Sequence, residues 1–305
     1  MKFSSLKYKK IKKKYLHFLK SQEVTSEPFR NKIGQLNNFY LPLSEFIYRN
    51  YSTNKKTKII GLTGGQGSGK STISNIIKII LHEIFDLKTV IFSIDDFYKT
   101  RKERRIMASK ISPLFLTRGV PGTHDTNFLF KCIKNLKTKK FKKFKIPKFD
   151  KSIDDRLKEK KWQNIQEKPN IVIFEGWCVG ATFQKNKDLL IPTNRLEKEQ
   201  DIDGIWRKTV NDELKKSYRK IFELIDKIIF LKVPNFQYVY KWRLLQEKKL
   251  KVTSKGKKTM KTEEIKNFIM FYERLTKHML KNLPKTADVI VKIDGKHRLN
   301  SIKFN

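Results

Sequence analysis

The sequence predicts a doubly wound α/β fold built on a parallel sheet, and three observations carry that expectation. Five short runs of Ile, Val, Leu and Phe recur between residues 58 and 293. An apolar stripe at helical spacing follows the first run, and a glycine-rich loop joins the two. Runs this continuous, without polar alternation, mark strands covered on both faces.

The runs are Lys58-Ile59-Ile60-Gly61-Leu62-Thr63, Thr89 to Ile94, Ile171 to Phe174, Lys227 to Val233, and Asp288 to Ile293. After the first, Ile73, Ile76, Ile77, Ile80, Leu81, Ile84 and Phe85 recur at steps of three and four, which predicts a helix over about residues 70–85. Residues 1–57 hold no chemical motif and read as a lysine-rich, helical N-terminal segment with aromatic and Leu contacts around Tyr15, Phe18, Leu19 and Tyr40 to Tyr48. A catalytic domain is expected over residues 58–305, with a cation-rich helical pattern over residues 241–264.

With 305 residues, 38% of them hydrophobic and 12% aromatic, the chain can bury a large core. No apolar run approaches the roughly 18 to 20 residues that cross a bilayer, and the first twenty residues alternate Lys with Tyr, Phe and Leu. Two cysteines, Cys132 and Cys178, are too few for a disulfide framework or a zinc site. A soluble, cytoplasmic protein without a membrane partner is expected. The net charge of +39 would attract a polyanion. Lysine is nevertheless spread along the whole chain, and the runs Lys9–Lys14 and Lys137–Lys145 read as solvated faces, so no specific nucleic-acid partner is expected.

Gly64-Gly65-Gln66-Gly67-Ser68-Gly69-Lys70-Ser71, followed by Thr72, fits G-x-x-x-x-G-K-[ST] and stands between a predicted strand and a predicted helix. In that setting backbone N–H groups turn inward around nucleotide phosphates, with the positive end of the helix behind them. Lys70 is expected to neutralise the β- and γ-phosphates of ATP, and the Ser71 hydroxyl to ligate Mg²⁺. Ligands of open parallel sheets lie beyond the carboxyl ends of the strands, where Asp95-Asp96 and Glu175 occur. Asp95 is assigned as the general base and Glu175 to the metal. Asp96 serves equally well as a helix cap or as the base.

Asp95-Asp96-Phe97-Tyr98 and Phe174-Glu175-Gly176 resemble the phosphoribulokinase, uridine kinase and pantothenate kinase group of P-loop kinases. Further stretches look like the D-glycerate 3-kinase family: Gly65 to Thr72, Arg118-Gly119-Val120-Pro121-Gly122-Thr123-His124-Asp125, Phe149 to Arg156, Glu175 to Gly180, and Trp242-Arg243-Leu244-Leu245-Gln246-Glu247. The resemblance spans about residues 40–300 and implies ATP-dependent conversion of D-glycerate to 3-phosphoglycerate. It implies the same roles for Asp95 and Glu175, and places Arg243 on a lid over the transferring phosphoryl. Between the second and third strands, Arg118, His124, Lys151 and Arg156 suit a small carboxylate, since Arg grips carboxylates with paired N–H bonds. The alternatives are a related kinase acting on a nucleoside, pantothenate or another sugar acid, and an NTP-dependent nucleic-acid-binding protein.

Overall fold

The computed structural model describes residues 4–23, 29–253 and 260–305. Six strands form one sheet: β1 Lys58–Gly64, β2 Thr89–Ser93, β3 Ile171–Gly176, β4 Lys227–Lys232, β5 Val289–Ile293 and β6 Leu299–Phe304, in the order β6-β5-β4-β1-β3-β2. The first five run parallel, and β6 closes one edge antiparallel to β5. The five apolar runs are thus the parallel strands. β6 escaped the sequence reading because Leu299-Asn300-Ser301-Ile302-Lys303-Phe304 buries only Leu299 fully and exposes polar groups at the rim, as an edge strand does.

Both faces of the sheet are covered. On β1, Ile60 and Leu62 enter one apolar cluster and Ile59 the other; on β3, Ile171 and Ile173 part in the same way from Val172 and Phe174. Side chains alternate sides along a strand, so a strand with a core on each side must be apolar at every position. Each such side chain, removed completely from water, contributes about 1.5 to 3 kcal/mol.

The principal helices are α1 Ser5–Gln22, α2 Leu41–Ser52, α3 Lys70–Phe85, α4 Arg101–Lys110, α5 Thr126–Lys137, α6 Ile205–Glu213, α7 Phe236–Thr253 and α8 Thr262–Asn282. The stripe expected over residues 70–85 is α3, with Ile73, Ile76, Ile77, Ile80, Leu81 and Ile84 buried. The cation-rich stretch over residues 241–264 supplies the end of α7 and the start of α8, and its residues 254–259 lie outside the described residues. Among the described residues, no helix is long and apolar enough to cross a membrane.

At the N-terminus, Ile11, Tyr15 and Leu19 repeat every four residues on α1 and are buried in the same apolar cluster as Ile76 and Ile80 of α3. Two lysines one turn apart fasten this contact, Lys14 at 2.5 Å and Lys10 at 2.9 Å from the Glu83 carboxylate. Lys14 above all, with Lys10 and His82, outweighs burial and holds the Glu83 carboxyl at about 2. A carboxyl depressed on folding adds stability that is full above its ordinary value of 4.5 and is lost as pH falls toward about 2. Glu83→Gln should therefore shrink the difference between urea midpoints measured at about pH 6 and about pH 3.

Candidate active site

β1 delivers the chain to the glycine loop and α3 carries it away. Gly69 caps α3 with φ +82°, a left-handed conformation that a side chain resists. A Cβ on Gly65 would stand 2.8 Å from Val239 of α7, so the loop also needs glycine for close approach. The Lys70 ammonium donates to the carbonyls of Gly64 at 2.9 Å and Gly65 at 3.1 Å. Burial pulls its pKa down, against the opposing pull of Glu175 and Asp95. The Ser71 hydroxyl donates to Glu175 Oε1 at 3.1 Å. Burial pushes the Glu175 carboxyl up, and Lys70 restrains it. Two buried oxygens of the loop, Gln66 Oε1 and Ser68 Oγ, have no hydrogen-bond partner among the described residues.

Glu175 lies inside the end of β3, paired with Leu62 of β1 and Ser93 of β2, and the ladder with β1 continues past the apolar run through Gly176. Asp95 is likewise not at a simple strand end: β2 stops at Ser93 and the chain makes one 3₁₀ turn over Ile94–Phe97. That turn separates the two neighbouring aspartates. Asp96 accepts from Ser93 N at 3.2 Å, completing a reciprocal cap, and from Lys148 Nζ at 2.8 Å. Asp95 instead accepts from the Tyr98 hydroxyl at 2.9 Å and from Lys151 Nζ at 2.6 Å. Burial would raise the Asp95 carboxyl, but Lys151 outweighs it, and with the Tyr98 bond holds the group at about 2.

A two-residue ladder, Phe149–Asp150 against Asp155–Arg156, brings Lys151 and Arg156 to this turn, and Asp154 between its strands holds Arg118. Lys151 reaches Asp95. Arg156 donates to the Tyr98 carbonyl at 3.0 Å and lies 3.6 Å from Asp125. Arg118 pairs with Asp154 beside the Phe149 ring, its guanidinium carbon 5.5 Å from the centroid, and its charge bears on Lys151. His124 is fully buried, with its ring stacked on Tyr98 at 4.5 Å. Lys70, Glu175, Asp95 and Lys151 feel one another's charge, so the phosphate loop and the turn after β2 lie close together. Among the described residues Arg243 pairs with Glu247 of its own helix at 2.9 Å, lies over the Phe268 ring at 5.9 Å, and bears by its charge on Tyr272, which also feels Asp95.

Arg104 had no role in the sequence reading. Its guanidinium is completely buried and donates to the carbonyls of Leu116 at 2.5 Å, Asp154 at 2.8 Å and Lys99 at 3.3 Å, while pairing with the Asp154 carboxylate at 2.9 Å. It thereby positions the aspartate that holds Arg118. Its only local signal is the Thr100–Glu103 cap that starts α4, since Arg101 to Arg105 otherwise read as a charged surface run. Arg104→Met would leave three carbonyls without their donor and should lower stability by about 2 to 4 kcal/mol in urea unfolding.

A phosphate loop after the central strand β1, with Glu175 in the adjacent β3 and Asp95 in the turn that follows β2 beyond it, is the arrangement of a P-loop kinase. Residues 59–207 match the sequence model of the Phosphoribulokinase / Uridine kinase family. The chain is 36% identical over 224 residues to "Uncharacterized kinase mug58" of Schizosaccharomyces pombe, an alignment covering 70% of this chain and 78% of that one. The protein belongs to the phosphoribulokinase and uridine kinase family and is an ATP-dependent kinase. It is also 28% identical over 222 residues to "D-glycerate 3-kinase, chloroplastic" of Arabidopsis thaliana, covering 70% of this chain but only 46% of that relative. The solved D-glycerate 3-kinase of Cryptococcus neoformans superposes with a TM-score of 0.72 at 22% identity, over 87% of this chain and 99% of that one, and shares the fold.

Proposed function

We propose that the protein transfers the γ-phosphoryl of ATP to a hydroxyl of a small hydroxy acid, D-glycerate being the first candidate, to give 3-phosphoglycerate and ADP. The observation that carries the reading is the Asp95 carboxylate in contact with Lys151, with Arg156 on the same short ladder and Arg118 paired to Asp154 in its turn. A hydroxyl needs a carboxylate base, and an acidic acceptor needs cations beside it. The Arabidopsis relative, a D-glycerate 3-kinase by name, supports this choice of acceptor.

The backbone of Gly64 to Thr72 and the Lys70 ammonium bind the phosphates. Ser71 and Glu175 fit Mg²⁺, being a hydroxyl and a carboxylate 3.1 Å apart, and among the described residues no cluster of three or more acidic, His or Cys side chains could hold a metal by itself. That suits an ion held by one carboxylate and shared with phosphates and water. When bound, the ion neutralises charge on the phosphoryl oxygens. Asp95 takes the hydroxyl proton as the new O–P bond forms and the bond to ADP breaks. An anionic acceptor competes with Asp95 for Lys151; as that ion pair loosens, the carboxyl's proton affinity rises, so acceptor binding prepares its own base. The resemblance assigns Arg243 to the transferring phosphoryl as a further cation. Lys151→Met should raise the acceptor KM by about tenfold in steady-state kinetics and leave the KM for ATP unchanged.

The test is ADP release by purified protein across D-glycerate, other hydroxy acids, pantothenate and nucleosides. Turnover of a nucleoside with none of D-glycerate would overturn the reading. ATPase activity that rises with RNA or DNA and falls steeply with salt would favour the nucleic-acid alternative.

A further inference from the structure

His124 is fixed beside Asp95 by an arrangement that no local motif announces. Its segment is zipped to the turn after β2, Lys99 N donating to Thr123 O at 2.8 Å and Asp125 N to Phe97 O at 2.7 Å. The imidazole stacks on Tyr98, itself bonded to Asp95, and Tyr218 meets the ring edge-on at 5.7 Å. Tyr218 comes from the turn Leu214–Tyr218 that continues α6.

The Tyr218 hydroxyl oxygen accepts from Gly122 N at 3.0 Å and lies 2.5 Å from His124 Nδ1. A phenol has one proton to give, and among the described residues its close acceptor is His124 Nδ1. With that proton given to Nδ1, the neutral ring carries its own proton on Nε2. Burial pushes this imidazole down to about 3, which keeps the ring neutral in the working range. Nε2 is itself buried and has no hydrogen-bond partner among the described residues. A buried N–H without an acceptor is costly and rare. The ring lies within electrostatic reach of Asp95 and Lys151.

We propose that Tyr218 is a positioning residue that locks His124 in the Nε2–H tautomer, and that this neutral N–H is the donor for one oxygen of the phosphoryl acceptor. The inference rests on the functional reading above for the acceptor's chemistry and goes beyond it in naming how the acceptor is chosen. The ammonium and guanidinium groups select negative charge. A neutral donor at a fixed point selects the position of an oxygen, because an acceptor lacking one there leaves the N–H buried and unpaired.

The test combines ¹⁵N-histidine NMR with kinetics of His124→Phe, His124→Gln and Tyr218→Phe. In the wild type, Nε2 should carry the proton and Nδ1 should show the shift of an acceptor nitrogen. Tyr218→Phe should relax that preference. Adding acceptor with a non-hydrolysable ATP analogue should move the Nε2 resonance. His124→Phe keeps the stacked ring and should raise the acceptor KM about 30-fold with the KM for ATP within about twofold, and His124→Gln, whose amide reaches the Nε2 position, should recover most of the loss. A proton on Nδ1 in the wild type overturns the inference, as does an unchanged acceptor KM in a folded His124→Phe protein. If a nucleoside is the acceptor, the functional reading fails while the same comparisons, run with that nucleoside, still decide the role of His124.

Discussion

Asp95→Asn should lower kcat by about a thousandfold while ATP affinity stays within a few-fold. Asparagine keeps the shape of the side chain and can still accept from the Tyr98 hydroxyl, which is 2.9 Å away in the native protein. It cannot take a proton, and it leaves Lys151 without its charged partner. In the proposed reading the glycine loop and Lys70, not Asp95, hold the nucleotide, so ground-state binding of ATP should be largely spared. Single-turnover measurements separate the two effects. Full activity in this variant would exclude Asp95 as the base. Asp96 would be a poor replacement, because its carboxylate is occupied by the cap on Ser93 and by Lys148. The acid side of the pH profile carries related information. Asp95 is held ionised down to about 2 in the free protein, so a fall in kcat/KM nearer neutrality must come from another group or from the acceptor itself.

Lys70→Ala should damage both terms, weakening ATP binding about tenfold or more and lowering kcat by about a hundred- to a thousandfold. Nucleotide titration followed by fluorescence and steady-state kinetics measure the two losses. The ammonium is buried and rests on two backbone carbonyls with Glu175 nearby, so it is an expensive charge in the free protein. Its removal should leave the unfolding midpoint unchanged or slightly raised. That combination, function lost with stability kept, distinguishes a phosphate-binding lysine from one that holds the loop together. A lower midpoint with unchanged ATP affinity would assign Lys70 to the loop's structure instead.

What could be read without coordinates follows from how local each signal is. The five parallel strands were legible because a strand sandwiched between two cores must be apolar at every position, whereas β6 faces water along much of its length and carries no such mark. Glu175 was found by the rule for strand ends, although the ladder encloses it. Asp95 and Asp96 could not be separated, since adjacent residues share every sequence feature; the 3₁₀ turn separates them by giving one the cap and the other Tyr98 and Lys151. Tyr98 stood in a quoted motif, but its bond to Asp95 depends on that turn. Arg104 and Tyr218 act through partners distant in the chain, Asp154 for one and Gly122 and His124 for the other, and nothing in their neighbours points to those partners. Arg243 was assigned by resemblance, and its partners Glu247 and Phe268 belong to the helices α7 and α8.

β1 is flanked by parallel neighbours on both edges and by apolar side chains on both faces. The phosphate loop therefore grows from the part of the chain with the fewest routes to partial opening, and the amides of Ile60 and Leu62 should exchange with deuterium only when the whole sheet comes apart. The acceptor side is built differently: Lys151 hangs on a ladder two residues long. Exchange there should be faster by orders of magnitude, so the molecule joins a floor that does not breathe to a wall that does. A nucleotide would meet a finished surface, and the acceptor one that is still settling.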